Sequence, residues 1–309
     1  EQHAHPERLT STARLSTPED MARTILTVPQ ELSSWSKLNL DFVIAGVQGC
    51  GTSSLFRNLE KHPQIGFSSR KEDPSLYTWY LLPPKSLIER FAERWRAVGE
   101  PLKFGLDNPM IWDSPTVFEI LRYIPAVKVI FIACDPVRVF EKWWVNRNVE
   151  VVNGGPDAIL KLAVTLIKKR KSLFVKNLLN FSYHLPDRVI LVHQSHLRRH
   201  PRETFDWITT SLGVDPFPGE HTLHRYNVFD TRRGFCSNRT LVSRLQRLFW
   251  KDYTVVKNLL YAASLPLYQE ILSHATYCEA SNWQTAEGNS GLCPHNETGS
   301  SPLCRVVGT

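Results

Sequence analysis

The stretch Gly46-Val-Gln-Gly-Cys-Gly-Thr-Ser53 carries the residue types for holding a phosphate-like anion. Its glycines let the backbone curl so that successive N–H groups point inward, and Thr52 and Ser53 add hydroxyl donors. A triphosphate-hydrolysing loop reads GxxxxGK[ST], with a lysine that reaches the β- and γ-phosphates. Thr52 stands in that place here, which argues against ATP or GTP hydrolysis and weakens a nucleotide-kinase reading. Two further polar groups stand out: His193, His196, Arg198 and His200 in one cluster, and the run Lys168-Lys-Arg-Lys171. The histidines lack the carboxylate or cysteine spacing of a metal site and read as a solvated or glycan-facing cluster. The basic run reads as a wet helix face or a holder of an anionic glycan.

An anion loop works only between a strand and a helix. Phe42-Val-Ile-Ala45 predicts a short buried strand in front of it, and Leu55, Phe56 and Leu59 predict a helix over Thr52–Lys61, stopped by Pro63. Val127–Ala133 is apolar at nearly every position, as strands covered on both faces are, and Val189–Val192 predicts a third strand. Helices are expected over Asp157–Leu179, over Pro201–Leu212 with Gly213 as its stop, and over Thr240–Ala262 with an interruption near Asp252 and Tyr253. Short apolar strands alternating with helices predict an α/β fold with a central, mainly parallel sheet and flanking helices.

Composition sets the outer bounds. The 309 residues are 42% hydrophobic and 22% charged, which excludes a disordered, collagen-like or coiled-coil chain. The net charge of +7 favours anionic partners without choosing among them. No helix-turn-helix, zinc-knuckle or aromatic RNA-binding signature points to nucleic acid. No apolar run is long enough for a bilayer span, and the N-terminus has no signal-peptide core, so the expectation is a chain that starts after a removed signal or anchor. Cys236, Cys278, Cys293 and Cys304 suit disulfides that fasten a tail, with three pairings open, whereas Cys50 and Cys134 each follow a predicted strand. Sequons at Asn180, Asn238 and Asn296 add to a secretory-pathway reading.

The segment GVQGCGTSSLFRNLEKHPQIGFSSRKEDPSLYTWY resembles the start of the PAPS-dependent Golgi carbohydrate sulfotransferases, where PAPS is 3′-phosphoadenosine-5′-phosphosulfate. Gly105-Leu-Asp-Asn-Pro109, Lys128–Pro136, His193–Val214 and Leu248–Tyr253 are similar to later segments of that family, in the same order. The nearest flavour is the N-acetylgalactosamine 4-sulfate 6-O-sulfotransferase branch. The resemblance implies a P-loop-like sulfotransferase fold and a donor loop made of Gly49, Cys50, Gly51, Thr52, Ser53 and Ser54. It implies Glu72 as general base, with Asp73 as its rival; Lys71 beside it is a candidate cation for the site in place of a loop lysine. It also implies a 3′-phosphate site near Asp135, Arg138 and Lys142, with Arg147 assisting and Arg233 as a further ligand. The family's usual donor-binding residues are replaced at Gly49, Cys134 and Lys142.

The combined expectation is a stem over residues 1–38, a sulfotransferase-like domain over 39–275 and a cysteine-containing tail over 276–309. The chain would move a sulfuryl group from PAPS, without a metal, to a hydroxyl of an anionic glycan in the Golgi lumen or outside the cell. The rival expectation is a catalytically impaired protein of the same fold that binds glycans or protein partners.

Overall fold

In this computed structural model the structure describes residues 34–262 apart from 48, 69–70, 74–75, 77–84, 110, 112–113, 125, 171–174, 186, 227–234 and 236–237. The apolar runs read from the sequence become strands buried on both faces: β1 (Phe42–Gly46), β4 (Lys128–Ala133) and β5 (Val189–His193). Two shorter strands, β2 (Ile65–Phe67) and β3 (Lys103–Asp107), complete a five-stranded sheet in the order β2-β3-β1-β4-β5. All four pairings are parallel, with Val43 facing Leu106 on one side and Val129 on the other. Parallel strands need crossovers, and helices supply them on both faces.

The strand order reverses direction at β1 and β4. In open parallel sheets that reversal leaves a crevice beyond the carboxyl ends of the strands, where ligands bind. The glycine-rich loop leaves β1 there and runs into α1 (Thr52–Leu59). Cys134 and Asp135 follow β4, then α4 (Pro136–Phe140), which continues as a π-helical turn over Glu141–Val145. After β5 come α8 (Gln194–Arg199) and α9 (Pro201–Leu212), the latter closed by Gly213 in the left-handed conformation.

The remaining helices are α2 (Lys85–Ala97), α3 (Pro115–Tyr123), α5 (Val149–Asn153), α6 (Gly155–Arg170), α7 (Val175–His184), α10 (Arg239–Leu248) and α11 (Trp250–Ala262). The helix expected over Asp157–Leu179 is seen as α6 and α7, with 171–174 between them outside the described residues. The interruption expected near Asp252 falls earlier, at Phe249, which caps α10. Asp252 and Tyr253 are polar for another reason: Asp252 is buried and accepts from the N–H of Val175 (3.3 Å) at the start of α7, and Tyr253 donates its hydroxyl to Asp135. The core extends ahead of β1, since Trp35 and Leu38 are buried in it.

Candidate functional site

A cavity of about 530 Å³ opens at the crevice. One wall is the loop, Gly49 and Gly51 through Ser54. Gly49 and Gly51 have φ of +86° and +110°, a region that side chains disfavour, so glycine is required for the curl. Gly51 is the N-cap of α1 and contributes no side-chain cap, so the helix presents its first turn of N–H groups at this wall. Gln194 at the start of α8 donates to the Gly49 carbonyl (3.2 Å) and holds the curl from the far side.

Under the loop, Cys50 and Cys134 form a disulfide, Cα to Cα 5.3 Å, and both are buried. Neither lines the cavity. The bond links the chain just past β1 to the chain just past β4. Asp135 does not line it either. Its carboxylate accepts from the N–H groups of Val137 and Arg138 (2.8 and 3.2 Å) and from the Tyr253 hydroxyl (2.7 Å), so it caps α4. Burial raises its pKa to about 6 against those favourable bonds. What it places is Arg138, which does reach the cavity.

The cavity is also lined by a group of cations: Arg138, Lys142, Arg147, Arg198 and Arg225. Lys142 and Trp143 project from the π-helical turn, and Arg147 lies over the Trp143 ring at 4.2 Å. Burial lowers the pKa of Lys142, and Arg138 and Arg147 lower it further. Burial likewise lowers that of Arg198, with Arg138 and Arg225 adding to it. Like charges gathered in one hollow disfavour one another, so the arrangement is relieved by a multiply charged anion.

Arg225 arrives by a route the sequence does not advertise. The segment 221–226 is clamped to α1 by side chains acting as a strand edge would. Asn58 accepts from the His224 N–H (3.0 Å) and donates to its carbonyl (2.8 Å). The Ser54 hydroxyl accepts from the Tyr226 N–H (2.9 Å) and donates to its carbonyl (3.2 Å). Ser54 thus lines the cavity with a hydroxyl already engaged by Tyr226.

Lys71 and Glu72 close another side, as an ion pair of 3.0 Å. Glu72 is a non-glycine residue at φ 65°, and its N–H donates to Asp107 (3.1 Å) at the end of β3. Asp73 turns away: it is buried and accepts from the Ser68 hydroxyl (2.7 Å). Between the two rival carboxylates, only Glu72 lines the cavity. Asp107 is buried, and burial raises its pKa from 3.8 to about 7. Between those values the folded chain holds a proton that the unfolded chain has released, so this group makes stability fall as pH rises from about 4 to 7. Asp107→Asn keeps an acceptor for Glu72 and should flatten that fall in urea midpoints measured across the window. An unchanged slope would remove Asp107 as its source.

Two sequence expectations are corrected. His193 and His196 are buried, not solvated or glycan-facing. His193 caps α8, accepting from the Ser195 N–H (3.3 Å), and burial lowers its pKa to about 3, so it is neutral. Arg198 belongs to the cavity rather than to an outer basic cluster. Lys168 and Lys169 are exposed on α6. Arg233, Cys236, Lys171 and the tail cysteines lie outside the described residues. Among the described residues, no helix is long and apolar enough to cross a membrane, and no cluster of three metal-ligating side chains occurs.

No family model matches the chain. A curated relative, the membrane-associated sulfotransferase kil1 of Dictyostelium discoideum, is 29% identical over 119 residues, covering 35% of this chain. The match spans about a quarter, 24%, of that relative's length. Among solved structures, a sulfotransferase from Alicyclobacillus acidocaldarius superposes with a TM-score of 0.51 at 15% identity, over 72% of this chain and 96% of that one. The sulfotransferase domain from the curacin biosynthetic pathway aligns with a TM-score of 0.44 at 16% identity, over 59% of this chain and 76% of that one. The bacterial structure shows the fold: a central parallel sheet with flanking helices, in the sulfotransferase arrangement.

Proposed function

We propose that this chain is a sulfotransferase that moves a sulfuryl group from PAPS to a hydroxyl of a glycan. The observation that carries the reading is the pairing, in one cavity, of a glycine-rich helix N-terminus with six lysine and arginine side chains and one half-exposed carboxylate. PAPS presents three anionic groups, a sulfate and two phosphates. A loop of N–H donors suits the phosphosulfate, and arginines suit the phosphates. Glu72 is the group able to take the acceptor proton as the new O–S bond forms. The Cys50–Cys134 disulfide favours an oxidising compartment, the Golgi lumen or the outside of the cell. Of the sequons there, Asn180 is exposed on α7, whereas Asn238 uses its side chain to cap α10.

A second reading has its own support. The usual donor-binding residue after β4 is replaced by Cys134, held in a disulfide, and the loop itself carries no cation. A glycan- or partner-binding protein of the same fold would look like this. Calorimetric titration with adenosine 3′,5′-bisphosphate, the spent donor, separates the two, with ATP as control. The enzyme reading expects a dissociation constant near micromolar, roughly 8 kcal/mol of binding. Absence of binding at millimolar ligand would sink it in favour of the binding module, and a preference for ATP would sink both.

A further inference from the structure

We propose that Lys142 is the catalytic cation of the glycine-rich loop, delivered to Gly49 from the π-helical turn and acting on the oxygen that bridges phosphorus and sulfur in the donor. The inference rests on the sulfuryl-transfer reading above and moves Lys142 away from the 3′-phosphate, where the resemblance had put it.

Lys142 occupies the space that a side chain at position 49 would need. A β-carbon built on Gly49 would lie 2.6 Å from Lys142 Cδ, 2.7 Å from its Nζ and 2.8 Å from its Cε. The volume into which a side chain at position 49 would grow is therefore filled by the end of Lys142. Glycine at 49 serves two purposes: it supplies the positive φ, and it leaves room for an ammonium from elsewhere in the chain. Residues 46–54 contain no lysine or arginine, so the loop supplies no positively charged side chain of its own. Arg138 and Arg147 lie near Lys142 and are left to face the second phosphate. Their charges, after burial, lower the Lys142 pKa, which makes its N–H groups better donors to an oxygen gaining charge.

The acceptor hydroxyl oxygen attacks sulfur, and its proton passes to the Glu72 carboxylate. The new O–S bond forms as the bond from sulfur to the bridging oxygen breaks. That bonding pair stays on the bridging oxygen, which becomes a 5′-phosphate oxygen of adenosine 3′,5′-bisphosphate. Lys142 keeps its proton and donates a hydrogen bond to that oxygen as the charge builds.

The test compares wild type with Lys142→Met, which keeps the stem and removes the charge. Turnover should fall about 10²–10³-fold, the loss typical of one donor aimed at developing charge. Affinities for adenosine 3′,5′-bisphosphate and for adenosine 5′-phosphate, which lacks the 3′ group, should weaken together, so their ratio stays within about 2-fold. Collapse of the ratio by about tenfold, which is 1.4 kcal/mol, would return Lys142 to the 3′-phosphate and overturn the proposal. Unchanged turnover in a folded Lys142→Met protein would overturn it as well. Wild-type protein that binds neither nucleotide would overturn the sulfuryl-transfer reading itself, a result visible before any variant is made.

Discussion

Glu72→Gln should lower turnover by about 10²–10⁴-fold, the range for removing a positioned general base, while the affinity for adenosine 3′,5′-bisphosphate stays nearly intact. The expectation follows from how the residue is held. The Glu72 side chain is 51% exposed and lines the cavity, so it can meet an incoming hydroxyl. Its backbone sits at φ 65°, a conformation that glutamate adopts at a cost of about 1–2 kcal/mol. The N–H bond to the buried Asp107 and the Asp73 N–H bond to the Asp107 carbonyl (2.8 Å) hold it there. Strain maintained by two contacts to one strand end is the kind that positions a functional group. Glutamine keeps the size and the backbone contact but cannot take a proton. A drop in kcat with unchanged nucleotide affinity therefore isolates proton transfer from binding. Unchanged turnover would remove Glu72 from the role, and Asp73 could not inherit it, because its carboxylate is buried and bonded to Ser68.

The parts of this site that were legible in the sequence are those built from neighbours. β1, the loop and α1 are consecutive, and apolar run, glycines and helical stripe each leave a local mark. β4 and β5 were legible for the same reason. β2 and β3 were not: β2 has three residues, and β3, reading KFGLD, carries a charge at each end and a glycine in the middle, so neither shows an apolar run. The cation group was the least legible. Arg198 looked like part of an exposed basic stretch, and nothing near Arg225 hints that Asn58 and Ser54 will clamp its segment to α1. Charges converge there through sheet topology, which local periodicity does not encode. The same gap misled the reading of Asp252, whose polarity serves a helix start elsewhere in the chain. His193 and His196 were misplaced because polar side chains default to the surface unless a cap or partner inside claims them.

The disulfide sets the other large expectation. Replacing Cys50 and Cys134 together by alanine should lower the unfolding free energy by about 2–4 kcal/mol in urea titrations. The bond closes a loop spanning 84 positions, so its absence returns much conformational freedom to the unfolded chain. Alanine is the right replacement because both sulfurs are buried, and serine would add the cost of a hydroxyl placed among apolar groups. The functional consequence comes from position. Cys50 lies between Gly49 and Gly51, the two residues whose freedom makes the loop costly to order. Its partner follows β4, which pairs with β1 through Gly46 and Ile132. The covalent tie thus fixes the most flexible part of the anion loop to the most regular part of the sheet. Without it, anion binding must supply the ordering, and bisphosphate affinity should fall about tenfold, which is 1.4 kcal/mol. Gln194 and the register of β1 on β4 still guide the loop, so binding should weaken rather than vanish. A variant with lowered stability and wild-type affinity would show that these two contacts alone hold the loop in its binding shape.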